Sequence, residues 1–534
     1  MTRSKLILSV ALFLLAAGNL AFFSHLIEVY PLSLENLPHL LSVAVLFGCV
    51  NVILLSLLSY GRATKFVLIA ILFVSAAVAY FMDAYQVIVD DDMIDNVLRT
   101  DPAESLDLIS VKLVLYLVLM GLVPAYLVYR APIVKQTFRQ ALLSRAMLLG
   151  GAIALAVATV VLFGGFYASF AREHKQLRYY ANPSYYLYSI GKIVGKEFKG
   201  APQALRTLGE DAKIPESDDD RELVILVVGE TARADHFSLN GDERETNPLL
   251  RKERVASFTN TWACGTSTAV SVPCMFSIYD QDDYSKEKAA QTENLLDVLQ
   301  RAGVNVIWLD NNSDSKGVAE RVPYQSYKSA DVNPVCDSEC RDLGMLENLQ
   351  DYIDRHPSGD IFIVLHQMGN HGPAYFKRYP PAFERFTPVC QTVELSECER
   401  SVIDNTYDNA ILYTDYFLSK VIELLKGNSR QFEAAMFYIS DHGESLGENN
   451  LYLHGIPNLL APDVQKRVPM IFWFSDSFEE DGISVDGLKS RLDEKFSHDN
   501  VFHTTLGLFE VETGVYDKEK DLLRNAGTLD SKDE

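Results

Sequence analysis

The chain is short of positive charge. Lysine and arginine number 48 against 71 aspartates and glutamates, a net charge of -23. A nucleic-acid binder needs a basic face for the phosphates, so that deficit excludes the class. Cysteine is also scarce, 7 in 534 residues, and no pair has the C-x-x-C spacing. That argues against a zinc ribbon. What the chain has in abundance is apolar sequence, and it is unevenly placed. Up to about residue 170 long apolar runs dominate, whereas beyond about residue 215 the sequence reads as an acidic globular protein.

Five runs are long enough to cross a bilayer as helix, at 6–23, 39–58, 66–82, 111–129 and 147–166. The first opens with Arg3 and Lys5 like a signal peptide, but four further runs make a polytopic protein. Arg62 and Lys65 separate the second and third runs; Arg130, Lys135, Arg139 and Arg145 separate the fourth and fifth. The alternate loops carry Glu28, Glu35, Asp90, Asp91, Asp92 and Asp95. The positive-inside rule then puts the N-terminus in the cytoplasm, and five crossings export everything after residue 170.

Cysteine usage agrees with export. Cys49 lies inside the second run, an inert core thiol. The other six fall in the exported half as near neighbours: Cys264 with Cys274, Cys336 with Cys340, and Cys390 with Cys398. Pairing by proximity gives three local disulfides, which suit an oxidising compartment. Between the halves, 171–215 mixes Lys175, Arg178, Lys192, Lys196 and Lys199 with Tyr179, Tyr180, Tyr185, Tyr186 and Tyr188. Such a mixture suits a partly helical segment at the membrane interface, with a simple linker as the alternative. The expected organisation is a transmembrane domain over 1–170, a bridging segment over 171–215 and a catalytic domain over 216–534. The tail from Asp517 is charged and reads as partly disordered.

The globular half repeats one pattern. Apolar runs at 222–230, 304–310, 360–366 and 434–440 read as strands buried on both faces of a mainly parallel sheet. Helical stretches at 292–302 and 405–425 lie between them. Each run ends in polar residues: Glu230; Asn312 and Lys316; His371; Asp441 and His442. Ligands collect at the carboxyl ends of strands in such sheets, so these residues are expected on one crest. Carboxylates with imidazoles suit a divalent transition metal, with zinc favoured by the nitrogen donors. A bound metal would activate a hydroxyl nucleophile. Cys264-Gly-Thr-Ser-Thr-Ala-Val-Ser-Val-Pro-Cys274 offers Thr266, Ser267, Thr268 and Ser271 in a stapled turn, and local sequence does not choose among them.

Five motifs carry a family resemblance: Gly229-Glu230-Thr231-Ala232-Arg233-Ala234, Ser238-Leu239-Asn240-Gly241, Cys264-Gly-Thr-Ser-Thr268, His366-Gln-Met-Gly-Asn-His371-Gly-Pro and Ser440-Asp441-His442-Gly443-Glu444-Ser-Leu-Gly-Glu448. With the membrane runs, the chain resembles the membrane-bound lipid A phosphoethanolamine transferases of the alkaline phosphatase and sulfatase superfamily. The resemblance implies five membrane helices and an α/β sulfatase-like domain. It places the nucleophile on Thr268 and a tight zinc site on Glu230, Thr268, Asp441 and His442. It carries the substrate phosphate, or a second zinc, onto His371 and His454, and the phosphoethanolamine headgroup onto Asn312 and Lys316. The implied reaction takes phosphoethanolamine from phosphatidylethanolamine to lipid A and gives polymyxin resistance, in a monomer of the bacterial inner membrane with its catalytic domain in the periplasm. Another envelope glycan as acceptor, or a non-catalytic sensor on the same fold, are the alternatives. Asp242, where the family usually has an aromatic residue, is the one visible departure.

Overall fold

The computed structural model describes residues 1–99, 106–197, 204–216, 218, 220–480, 483 and 485–523. Lys199 and the tail beyond Leu523 lie outside them. The chain divides into two compact units: Met1–Val97 with Leu108–Gly200, and Leu98–Asp107 with Ala201–Glu534.

The first unit is helical. Among the described residues four helices are long and apolar enough to cross a membrane: α3 (Leu37–Leu58), the helix ending at Tyr85 that we call α4 (Thr64–Tyr85), α5 (Val111–Arg130) and α6 (Phe138–Leu162). The first apolar run does not form one straight span. It breaks into α1 (Arg3–Ala17) and α2 (Leu20–Val29), bent by 54°, which count as a fifth crossing if taken together. The cause of the break is a buried amide cluster. Asn19 Nδ2 donates to the Leu14 and Asn182 carbonyls at 2.8 and 2.7 Å, while Asn182 Nδ2 donates to Gly18 O and Ser75 O, both at 2.9 Å. Carbonyls freed at the helix end thus find donors away from lipid, as membrane burial demands. The last span starts well before residue 147, because Thr137 and Gln140 form a capping box ahead of Phe138. After it come helical segments at Gly164–Glu173, Lys175–Tyr180 and α7 (Ser184–Glu197).

The second unit is built on an eight-stranded sheet. Its strands are β1 (Glu222–Gly229), β2 (Val255–Trp262), β3 (Asn305–Asp310), β4 (Tyr324–Ser326), β5 (Ile361–His366), β6 (Glu433–Ser440), β9 (Arg467–Phe474) and β10 (Phe496–Ser497). A separate hairpin holds β7 (Ser445–Leu446) and β8 (Tyr452–Leu453). The sheet order is β10-β2-β9-β6-β1-β5-β3-β4. Within this sheet only the pairings of β9 with β2 and β6 are antiparallel. Every residue of β1, β5 and β6 is buried, which is why these strands read as unbroken apolar runs. Val224, Leu226 and Val228 share a core with Leu295, Leu296 and Leu299 of α9 (Leu295–Ala302) and with Phe502. The long helix α10 (Arg400–Asn428) packs against β6.

Register brings the chemistry together. Gly229 pairs with Ser440, Val228 with His366, and His366 with Asp310. Four strands therefore finish level, and the residues that follow them emerge on one crest. Disulfides join Cys264 to Cys274, Cys336 to Cys340 and Cys390 to Cys398; Cys49 is free and buried.

Candidate metal and nucleophile site

Thr268 is the first residue of α8 (Thr268–Met275), with Ser267 in extended conformation ahead of it. A hydroxyl there sits where first-turn amides and the helix dipole favour negative charge. The turn is held by two of its other hydroxyls. Thr266 Oγ1 donates to the Ile456 carbonyl at 2.7 Å, and Ser271 Oγ accepts from the Gly265 amide at 3.0 Å. A Cβ at Gly265 would come 2.7 Å from Val270 Cγ1, so glycine is needed for this close approach. Thr268 Oγ1 points elsewhere, 3.1 Å from Glu230 Oε2 and 3.4 Å from His442 Nε2.

Glu230, Asp441 and His442 offer ligand atoms within 4.8 Å of one another, and all three are buried. His442 Nε2 lies 3.5 Å from Glu230 Oε1 and 3.4 Å from Asp441 Oδ2. That same Asp441 Oδ2 is buried without a hydrogen-bond partner. Two carboxylates, an imidazole and a hydroxyl converging around an orphaned oxygen is a donor set for a divalent cation. The electrostatics agree. Burial and the neighbouring Glu230 push the Asp441 carboxyl up. Burial works against the charged form of Glu230 too, but the imidazoles of His442, His371 and His454 outweigh it and hold Glu230 well below its ordinary range. One carboxylate is ionised at the expense of the other, the strain a cation relieves.

The shell around these candidate ligands is rigid. Thr231 has φ 56, its hydroxyl donates to Glu230 Oε1, and its amide donates to Asp441 Oδ1 at 3.1 Å. A β-branched residue in the left-handed region signals a backbone held against its preference. Tyr407 Oη fixes it by donating to Thr231 O at 2.6 Å. A Cβ at Gly443 would come 2.1 Å from the Val464 carbonyl, so only glycine lets the chain pass there. His442 Nδ1 lies 2.9 Å from the Gly443 carbonyl, which sets the tautomer that leaves Nε2 facing Glu230 and Asp441.

His371 and His454 stand beside this cluster. The ring of His454 is 4.3 Å from that of His442 and 5.7 Å from that of His371, centroid to centroid. His454 Nδ1 is 3.2 Å from Glu444 Oε1, and Tyr375 Oη donates to Glu444 Oε2 at 2.9 Å. Asn312 reaches into the cluster, its Nδ2 donating to Glu230 Oε2 and Gln367 O at 2.7 Å each. Lys316 is on the same loop but makes no hydrogen bond to the cluster. It is buried, has φ 52, and its Nζ donates to Ser313 O at 3.0 Å and Ser313 Oγ at 2.7 Å. Asp242 lies near His236 and Asp408. There Arg244 Nε, 3.0 Å from Asp408 Oδ2, already supplies a cation.

Three supporting residues escaped the sequence reading. His498 accepts from the Cys264 amide through Nδ1 at 3.2 Å and places Nε2 3.0 Å from the Ser440 carbonyl, tying the nucleophile turn to the end of β6. Burial pushes its pKa down to about 4. Glu444 orients His454. Arg378 Nε donates to the His371 carbonyl at 2.6 Å. Glu444 stands in a quoted motif; His498 and Arg378 carry no local signal.

Two family models match the chain: phosphoethanolamine transferase EptA/EptB over residues 47–198 and sulfatase over residues 222–511. Phosphatidylethanolamine transferase Mcr-2 of Escherichia coli is 45% identical over 95% of this chain and 94% of its own length. The chain belongs to the phosphoethanolamine transferase family. Phosphoethanolamine transferase EptA of Escherichia coli K12 is 39% identical to this transferase over 97% of the chain and 96% of its own length. Among solved structures, the integral membrane lipooligosaccharide phosphoethanolamine transferase A of Neisseria meningitidis superposes with a TM-score of 0.94, covering 98% of each chain at 36% identity. The match takes in both units, so the fold is a membrane helical domain with a sulfatase-like catalytic domain, and the chain is an inner-membrane enzyme with that domain in the periplasm.

Proposed function

We propose that this transferase moves phosphoethanolamine from phosphatidylethanolamine to a phosphate of lipid A through a covalent intermediate on Thr268. The observation that carries the reading is the placement of Thr268 Oγ1 at a helix N-terminus, between Glu230 and His442 and beside the buried, unpartnered Asp441 Oδ2. Zinc held by Glu230, Thr268, Asp441 and His442 would supply the positive charge that makes the threonine hydroxyl acidic at neutral pH.

In the first displacement Thr268 Oγ1 loses its proton and bonds to phosphorus, while the bond from phosphorus to the diacylglycerol oxygen breaks. His371 and His454 flank the site and are suited to hold the phosphoryl oxygens and to protonate that departing oxygen. In the second, a phosphate oxygen of lipid A bonds to phosphorus and the Thr268 ester breaks, returning the hydroxyl. Asn312 fixes the Glu230 carboxylate, and Lys316 stands on the same loop as a cation for the phosphoryl group. In this reading the enzyme acts as a monomer. Adding an ethanolamine amine lowers the anionic charge of the surface and weakens its attraction for polymyxins.

Lipid A from cells expressing the wild type should gain the mass of phosphoethanolamine, and lipid A from Thr268→Ala cells should not. A gain on a core sugar instead would reassign the acceptor. No gain with a well-expressed wild type would refute the acceptor altogether.

A further inference from the structure

The membrane unit contains a cavity of about 260 Å3 whose walls include Arg3, Ser4, Tyr60, Phe138, Leu142 and Arg145. It sits where α1 and α6 begin and α3 ends, the face that the basic loops assign to the cytoplasm. Ser144 Oγ donates to Ser4 Oγ at 2.8 Å, which fastens the two helices beside it. The first turns of α1 and α6 both open on this space and add a weak positive potential.

The two arginines are the notable part. The Arg145 guanidinium lies 5.0 Å from the centre of the Tyr60 ring, a stack that holds its plane at the wall. Arg3 Nε is buried and has no hydrogen-bond partner. Among the described residues neither arginine is paired with a carboxylate, and residues 1–27, 36–82 and 111–172 contain no aspartate or glutamate. Arg62, Lys65, Arg130, Lys135 and Arg139 lie in the loops and helix ends at the same side. Buried or half-buried charges are ordinarily paired, so two cations with no counterion among the described residues call for an anion from outside.

Guanidinium forks match phosphate oxygens in pairs, and basic pockets between membrane helices suit anionic headgroups. Phe138 and Leu142 at the rim are 73% and 55% exposed, an apolar margin that a free phosphate would not use and an acyl chain would. We propose that this cavity binds the phosphodiester headgroup of an anionic phospholipid of the cytoplasmic leaflet, with Arg3 and Arg145 as the paired phosphate donors. The site is separate from the catalytic residues and does not rest on the donor and acceptor proposed above.

The test is native mass spectrometry of the full-length protein in mild detergent, titrated with phosphatidylglycerol, phosphatidylethanolamine or inorganic phosphate. One phosphatidylglycerol per chain should be retained. The double variant Arg3→Gln/Arg145→Gln should weaken it at least tenfold. Arg145→Lys, which keeps the charge and loses the fork, should weaken it several-fold, and guards against misfolding of the double variant. Arg139→Gln removes a charge from the same end outside the cavity and should leave binding unchanged. Equal weakening by Arg139→Gln, equal retention of phosphatidylethanolamine, displacement of the lipid by inorganic phosphate, or binding unchanged in Arg145→Lys and the double variant would each overturn the proposal.

Discussion

His498 offers a quantitative handle on the nucleophile turn. Its imidazole is 1% exposed and bridges the Cys264 amide and the Ser440 carbonyl. Replacing it with alanine strands both backbone groups in the interior at about 1–3 kcal/mol each, and the void adds to that. A loss of about 4 kcal/mol from the catalytic unit is expected at pH 7.5. Acid should act on the same bond network. The folded pKa is down at about 4, below the unfolded imidazole value, so the unfolded chain binds the extra proton. Stability is therefore complete above the unfolded value, near 6.5, and is lost as pH falls toward 4. Each pH unit in that window removes up to about 1.4 kcal/mol, about 3 kcal/mol in all. Tryptophan fluorescence is a clean assay, since Trp262, Trp308 and Trp473 all lie in the catalytic unit. Unfolding of the full-length protein in detergent would be followed in chelator, so that metal linkage does not contribute. The reasoning fails if His498→Ala unfolds within about 1 kcal/mol of wild type at pH 7.5, or keeps the acid slope of wild type.

Other residues give independent checks. Gly443→Ala drives a methyl group into the Val464 carbonyl and should shift the adjoining His442; zinc content of the purified variant should fall well below that of wild type, and full content would contradict the close approach. Glu222 is buried at the start of β1 beside Asp360, Asp218 and Glu433, and burial with these neighbours pushes its carboxyl far up. Its folded pKa exceeds the unfolded one, so its contribution is lost as pH rises above the ordinary carboxylate range; Glu222→Gln should gain about 1 kcal/mol or more over wild type at pH 8 and nothing at pH 4. Arg378→Ala releases the His371 carbonyl and should lower kcat on the order of tenfold to a hundredfold while zinc at Glu230, Asp441 and His442 stays, with partial rescue by Arg378→Lys.

Much of this was legible in the sequence, for physical reasons that differ by element. β1, β5 and β6 are buried on both faces, so their continuous apolar runs stood out, and parallel register made the residues after them neighbours. β2 is interrupted by Ser257, Thr259, Asn260 and Thr261, and β9 contains Pro469. Neither carried the same signal, and their antiparallel pairing to each other appears only in three dimensions. The first membrane run looked uninterrupted, because Asn19 is one polar residue among apolar ones; its partner Asn182 is far along the chain. The hydroxyls of the stapled turn were equivalent on local grounds. Tertiary contacts single out Thr268, which faces Glu230 and His442, while Thr266 and Ser271 are spent on backbone groups.

The central claim is that Thr268 carries the transferred group. Purified protein incubated with phosphatidylethanolamine and no acceptor should gain the mass of one phosphoethanolamine, on the peptide that contains Thr268. Lipid A should then discharge it, and Thr268→Ala should show neither the adduct nor release of diacylglycerol. Diacylglycerol release that persists in Thr268→Ala, or an adduct that maps to another residue, would contradict the account.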